Sequence, residues 1–418
     1  MTGLLRQVFD RAVLVADPML CVPRALPPRP ATGRVLVIGA GKASARMAEA
    51  VESVWGPCEG LVITRDGYGR PCRGIEIVEA SHPVPDGRGL AATARILALL
   101  RELKEGDFVL SLISGGGSAL LLQPVEGVTL EEKRAVNSAL LASGAAIDAM
   151  NTVRKHLSRV KGGQLGAASW PARMLSLMIS DVPGDSPAII ASGPTVGDAT
   201  TPADALALIR RWKIAAPACV LAALERGSGV VPPGDARLSR VENRVIAAPS
   251  QSLEAAAELA RSQGVETRIL GDALEGEARD LAFEQAQAAK RIAAELKPGD
   301  SPVLLLSGGE CTVTRRGDGV GGPNAEFALA LAIALDGAPG ISAIACDTDG
   351  VDGAAEVAGA LIGPDTLAKA RAAGVVPGEE LARNNAHGFF AAIGDQVVTG
   401  PTLTNVNDFR AILIEPVA

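Results

Sequence analysis

Short apolar runs alternate with longer stretches of helical periodicity along most of the chain. The run "RVLVIGA" (34–40) is β-rich, ends in glycine and leads into "GKASARMAEAVESV", where apolar residues recur at helical spacing. "GLVIT" (60–64) and "IEIVEA" (75–80) read as further short strands, "GRGLAATARILALLREL" (87–103) as a helix, and "DFVLSLIS" (107–114) as a buried strand. The segment "VTLEEKRAVNSALLASG" sets Thr129 and Glu132 at capping-box spacing and closes on Gly144, so both ends of a helix are marked. Strands that alternate with helices predict βαβ units and a largely parallel sheet.

Chain-breaking residues gather in "RGSGVVPPGDARLSR" (226–240), the best candidate for a domain boundary. Beyond it the alternation resumes with "ENRVIAAP", a helix from Ser252, "ETRILG", a long helix to about Leu296, and "SPVLLLSGG". "NAEFALALAIAL" (324–335) reads as an apolar helix and "ISAIACD" (341–347) as a strand, while "AILIE" (411–415) suits either sheet. At 418 residues two cores are the natural expectation. The reading is therefore a larger α/β domain over 1–236 and a smaller α/β domain over 237–418, with the tail from about 400 returning to the first.

A hydrophobic share of 48% suits filled α/β layers and argues against disorder. No run approaches the roughly 18 apolar residues of a membrane helix, and "MTGLLRQVFDRAVLVADP" reads as an amphipathic helix rather than a leader. Net charge is 40 − 47 = −7, which leaves no general basic field for nucleic acid, so any anion must be bound locally. Cys21, Cys58, Cys72, Cys219, Cys311 and Cys346 form no CxxC pair and no zinc-like spacing. They read as apolar fillers in a reduced, cytoplasmic setting.

Four glycine-bearing segments follow apolar strands: Gly39–Lys42, Ser114–Ser118 ("SGGGS"), Asp181–Asp185 and Ser307–Glu310. Glycine lets successive backbone N–H groups turn to one side, and at the carboxyl ends of parallel strands such loops make seats for anions. Of nine lysines in the chain, Lys42, Lys155 and Lys161 lie in or beside such turns. "NTVRKHLSRVKGGQLG" (151–166) gathers Arg154, Lys155, His156, Arg159 and Lys161, a composition suited to a carboxylate plus a phosphate.

"GAGKAS" is not a Walker A loop, since Leu36 stands where its first glycine belongs. It partly matches the dinucleotide fingerprint, but Thr64 and Arg65 end the next strand where an acid is expected. Phosphoryl transfer needs carboxylates for a metal and for orienting the hydroxyl. The candidates at strand ends are Asp181, Glu310, Asp347, Asp349 and Asp352, of which Asp181 and Asp349 are the strongest. His82, before proline in "SHPVPDGRG", is as much a structural as a catalytic candidate.

Taken in order, "VLVIGAGKAS", "SHPVPDGRG", "SLISGGGSALL", "NTVRKHLSRVKGGQL", "ISDVPGDSPAIIASGPT", "LLLSGGECTVT", "DTDGVDG" and "TGPTLTNVNDF" resemble the glycerate 2-kinase family of the MOFRL type. The resemblance runs from about residue 5 to 415. It implies two α/β domains, the larger Rossmann-like with a mainly parallel sheet, and an active site in the cleft between them. It implies ATP and Mg²⁺, and phosphorylation of D-glycerate at its 2-hydroxyl. Some members bear the name hydroxypyruvate reductase, so an NAD(P)H-dependent reductase stands as the alternative. Residue chemistry and resemblance together put Lys42, Asp181 and Asp349 in catalysis, and Arg154, Lys161 and Ser114 on the substrate. They put Gly41, Gly115, Gly116, Gly117, Ser118, Ser307, Gly308, Gly309, Glu310 and Asn324 on the nucleotide, with Asp181 and Glu310 on the metal. Many relatives read GGRNQE where this chain has "GGPNAEF", so Pro323 replaces an arginine whose role Arg315 or Arg316 would have to fill.

Overall fold

Six strands, β1 (Val35–Ala40), β2 (Glu59–Arg65), β3 (Ile75–Ala80), β4 (Phe108–Ile113), β5 (Arg173–Ile179) and β6 (Val241–Ala247), form a sheet in the order β3-β2-β1-β4-β5-β6. The structure, a computed structural model, describes residues 2–353 and 355–417. The pairings β3–β2, β2–β1, β1–β4 and β4–β5 are all parallel. Parallel strands need cover on both faces, which is why β4 is buried along its whole length and reads as an unbroken apolar run. Ile96 and Leu100 of helix Gly87–Arg101 pack with Leu36, Ile38, Ile63 and Val109 of the strands.

A helical layer belongs to the same unit. Helix Leu130–Ala142 starts at the expected capping box of Thr129 and Glu132, and Gly144 follows its end at φ +69°. Val136 and Leu140 pack with Val153 of helix Ile147–His156 and with Ile209 and Leu224 of helices Pro202–Arg211 and Ala218–Arg226.

The second sheet is built otherwise. Its strands are β7 (Glu266–Gly271), β9 (Val303–Gly308), β11 (Ile341–Asp347), β12 (Gly359–Ile362), β13 (Gln396–Val397) and β14 (Asp408–Ile414), in the order β13-β12-β11-β14-β9-β7. Only β7–β9 is parallel; the other four pairings are antiparallel. A helix crossover such as Ala278–Glu295 makes a parallel pair, while the short link from β11 to β12 permits only an antiparallel one. Two further short strands, β8 (Gly276–Glu277) and β10 (Cys311–Thr312), pair with each other. One face of the six-stranded sheet is covered by helices Ala278–Glu295 and Pro323–Leu335. The other is covered by helices Thr2–Val15 and Pro249–Ser262, with Phe9 lying 5.8 Å from Phe409 between ring centroids.

The chain therefore divides into one unit of residues 18–180 and 185–246, and another of residues up to Asp17, 181–184 and 247–418. The expected cut at 236/237 treats the domains as consecutive blocks. Packing of Leu5, Val8 and Phe9 instead assigns the first helix to the C-terminal unit. The tail from about 400 likewise does not return to the first domain's sheet: β14 is an inner strand of the second, between β11 and β9.

Candidate active site

In the strand order β3-β2-β1-β4-β5-β6 the connections reverse direction between β1 and β4, and such a switch point opens a crevice beyond the strands' carboxyl ends. The loops that follow β1 and β4 meet there. Gly41 has φ +148°, and a Cβ on it would fall 2.1 Å from the Ser114 Oγ. The Lys42 amide donates to the Gly115 carbonyl at 2.8 Å, and the Ser114 hydroxyl, fully buried, accepts the Ala43 amide at 3.0 Å. Ser114 thus clasps the two loops together.

The three glycines divide the work. Gly115 supplies the carbonyl just named, and Gly117 opens the short helix Gly117–Leu120. Gly116 has φ +76°, and a Cβ there would lie 2.9 Å from the His82 imidazole and 3.2 Å from Lys42 Cγ. Only glycine fits between those two side chains. The amides of Gly41, Lys42, Ala43 and Gly117 are spent inside the loops, whereas among the described residues those of Gly115 and Gly116 have no hydrogen-bond partner.

A cavity of about 420 Å³ opens at Gly116 and Ser118. His82, Lys133, Arg134, Arg154 and Lys161 line it, and among the described residues no carboxylate does. Lys161 is buried and its ammonium donates to the Ser118 and Leu121 carbonyls at 2.8 and 3.4 Å. Burial, reinforced by Lys133, Arg154 and Lys155, holds its pKa far below that of an ordinary lysine. Lys133 donates to the Leu157 carbonyl at 2.7 Å, and burial together with Arg154 brings its pKa down to about 7. Arg154 donates to Asn137 Oδ1 at 2.8 Å, and burial lowers its pKa as well. Arg134 donates to the Pro85 carbonyl and so fixes the His82–Pro85 loop against the cavity.

The basic cluster expected in 154–161 therefore splits. Arg154 and Lys161 face the cavity, while Lys155 pairs with Asp198 at 2.5 Å and His156 bridges Ser228 and Thr200. Arg159 is exposed. Lys133, Arg134 and Asn137 escaped the sequence reading. Their signal is present, since they interrupt the apolar face of the capped helix at positions i, i+1 and i+4.

The remaining expected residues lie in the C-terminal unit. The Ser307 hydroxyl accepts from Gln285, and the Gly308 and Gly309 carbonyls accept from buried Arg410 at 3.2 and 2.7 Å. Glu310 is exposed just beyond. Asn324 is wholly buried: its amide group reaches Asp408 at 2.6 Å, and its backbone N–H reaches Asp352 at 3.0 Å. Gly322 caps that helix with Pro323 in its first turn, the place proline favours. The Asp349 carboxylate accepts the Val351 amide at 2.8 Å, and Asp352 meets His387 at 3.1 Å. Asp181 accepts from Asn405 at 3.1 Å through its carboxylate and from Asn407 at 2.9 Å through its carbonyl. Among the described residues no three His, Cys, Asp or Glu side chains gather as a metal cage.

Comparison with known proteins agrees with this architecture. The family model described as Domain of unknown function (DUF4147) matches residues 4–225, and that described as MOFRL family matches residues 303–408. A protein of Agrobacterium vitis provisionally named hydroxypyruvate reductase is 52% identical over 98% of this chain and 94% of its own. The D-glycerate 2-kinase of Thermotoga maritima is 39% identical over 91% of each chain. The crystal structure of glycerate kinase from Thermotoga maritima superposes with a TM-score of 0.87 at 37% identity, covering 99% of both chains. On this match, which spans almost its whole length, the chain belongs to the MOFRL-type glycerate 2-kinase family.

Proposed function

We propose that this protein is a glycerate 2-kinase, transferring the γ-phosphoryl group of ATP to the 2-hydroxyl of D-glycerate. One observation carries the reading beyond family membership: a chain of net charge −7 gathers Lys133, Arg134, Arg154 and Lys161 around one cavity without a carboxylate. A phosphoryl transition state spreads negative charge over its equatorial oxygens, so preorganised donors and cations lower its energy most. In this reading the amides of Gly115 and Gly116, with the Lys42 ammonium beside them, face the transferring group. Asp181 orients the attacking hydroxyl, and the six free thiols suit a reduced cytoplasm.

Magnesium in such reactions keeps several waters and is held by one or two carboxylates plus phosphate oxygens, so the lack of a three-acid cage among the described residues is compatible with it. Asp181 would supply one such carboxylate, oriented by the Asn405 amide N–H on its Oδ2. When bound, the ion would supply neutralisation of phosphate charge. Glu310 and Asp349 complete the proposed acidic set.

The reductase name of a 52% identical relative is the second reading. Against it, Thr64 is buried at the end of β2, its hydroxyl donating to the Gly41 carbonyl at 3.1 Å, where a ribose-binding acid would stand. The test is direct. Purified protein with glycerate and ATP–Mg should form ADP, and with hydroxypyruvate should leave NADH and NADPH unoxidised. Cofactor oxidation without ADP formation would reverse the assignment, and Lys42→Ala should remove ADP formation while leaving the protein folded.

A further inference from the structure

We propose that the cavity bounded by helices Leu130–Ala142 and Ile147–His156 is the nucleotide pocket, taking an adenine nucleoside triphosphate with its polyphosphate on the cationic floor and its base in the apolar mouth. This rests on the kinase reading above and revises the place of Arg154 and Lys161, which then serve the phosphates rather than the carboxylate of glycerate.

Leu130, Lys133, Arg134, Asn137, Leu140 and Leu141 line the cavity at spacings of three and four, flanked by Val136 and Ser138, so a broad stripe of the helix is turned to it. That stripe is amphipathic along its length. Lys133 and Arg134 lie in its earlier half and Leu140 and Leu141 at its end, with Asn137 between them. Val153 and Leu157 add apolar wall from the neighbouring elements, and Arg154 adds a guanidinium. At the opening, Val84 and Leu141 are both exposed and both part of the lining.

Such a chamber matches a ligand that is anionic at one end and flat and weakly polar at the other. Glycerate is a three-carbon acid with hydroxyls throughout, and it has no part that would gain from burying these leucines and valines. The volume agrees: about 420 Å³ lies within the range of pockets that enclose whole cofactors. The polyphosphate would run toward Gly116 and Ser118, where the cavity meets the unpartnered amides of the glycine loop. Arg154 has one nitrogen on Asn137 and another 3.4 Å from Asn151, and its Nη2 has no partner among the described residues. It is the donor best placed for a phosphate oxygen.

The test uses the full chain and two variants built from neutral substitutions, so that added charge does not repel both substrates alike. Val84→Gln with Leu141→Gln alters the mouth at exposed positions, where folding is at little risk, and Lys133→Gln alters the floor. The probe is the non-hydrolysable analogue AMP-PNP with magnesium, titrated calorimetrically alongside steady-state kinetics. The expected result is that each variant weakens AMP-PNP and raises the KM for ATP by about tenfold, with the KM for glycerate held within about twofold. A rise in the glycerate KM alone, or AMP-PNP affinity equal to that of the wild type, would overturn the assignment. Should the wild type fail to turn over glycerate while AMP-PNP binding remains sensitive to these substitutions, the pocket stands and the acceptor falls.

Discussion

The ammonium of Lys161, 1% exposed, donates to the carbonyl oxygen of Ser118 at 2.8 Å, and among the described residues no carboxylate pairs with it. Burial without an ionic partner disfavours the charged form, in keeping with the lowered pKa, so the amine adds little to the stability of the fold. Lys161→Met keeps the volume and removes the amine. Thermal unfolding should then show an unchanged or higher Tm, while loss of the tether on the Ser118 loop should lower kcat by about 10²-fold, the scale of an ångström-sized misplacement. A large drop in Tm with activity intact would mean that the lysine serves the fold alone.

Gly116→Ala tests the three-glycine loop in a second way. The substitution asks a Cβ to sit 2.9 Å from the His82 ring and 3.2 Å from Lys42 at a φ of +76°. The left-handed backbone costs about 1–2 kcal/mol for any non-glycine residue, and one of the two side chains must also move. The expected outcome is a modest loss of stability, read by urea unfolding, with a much larger loss of turnover. Gly115→Ala, at a position outside the positive-φ glycines, should be the milder of the pair.

These two residues also mark what the sequence made legible. Turn glycines, helix caps and alternation announce themselves locally, so β1, β4 and the capped helix were all readable, as was the turn at SGGGS. Long-range partners are another matter. Nothing near Ser114 says that its hydroxyl will clasp the Ala43 amide, and nothing in 151–161 separates Lys155, which turns to Asp198, from Lys161, which turns to the loop. Lys133 and Arg134 were hidden for the opposite reason. Their helix is so well marked by its caps that charges on one face look like ordinary solvated positions. The antiparallel order of the second sheet was equally hidden, because β12 is four residues of Gly, Ala, Leu and Ile with no strand signature of its own.

Lys133 makes the affinity for an anion depend on pH. With its pKa brought to about 7 by burial and by Arg154, it is largely neutral in the empty cavity at pH 8. A bound polyphosphate favours the charged form, so binding above pH 7 must take up a proton, and affinity must fall as pH rises from 7 toward 9. Calorimetry of AMP-PNP at pH 8 in buffers of different ionisation enthalpy should report that uptake. Lys133→Gln should abolish it. Uptake of the same size in the variant would assign the proton to another group.

Arg410 offers the strongest stability prediction. It is buried near the start of β14, donates to the Gly308 and Gly309 carbonyls, and pairs with Asp408 at 2.9 Å. Burial pushes the Asp408 carboxyl up to about 6, and the guanidinium opposes that rise. The sign follows from proton binding: a carboxyl with a folded pKa above its unfolded value, about 3.9, destabilises the fold at pH above both values, and the penalty fades as pH falls from about 6 to 4. Arg410→Met removes the opposing charge, raises the folded pKa further, and leaves a buried carboxylate unpaired. At pH 8 this should cost about 3–5 kcal/mol, read as a shifted urea midpoint. At pH 5 the carboxyl takes up its proton and the deficit should shrink, leaving the loss of the two carbonyl contacts. Adding Asp408→Asn to the variant should recover much of the pH 8 loss and flatten its pH dependence. A deficit of equal size at pH 8 and pH 5 would show that Arg410 acts through the Gly308–Gly309 loop and owes little to its charge pair.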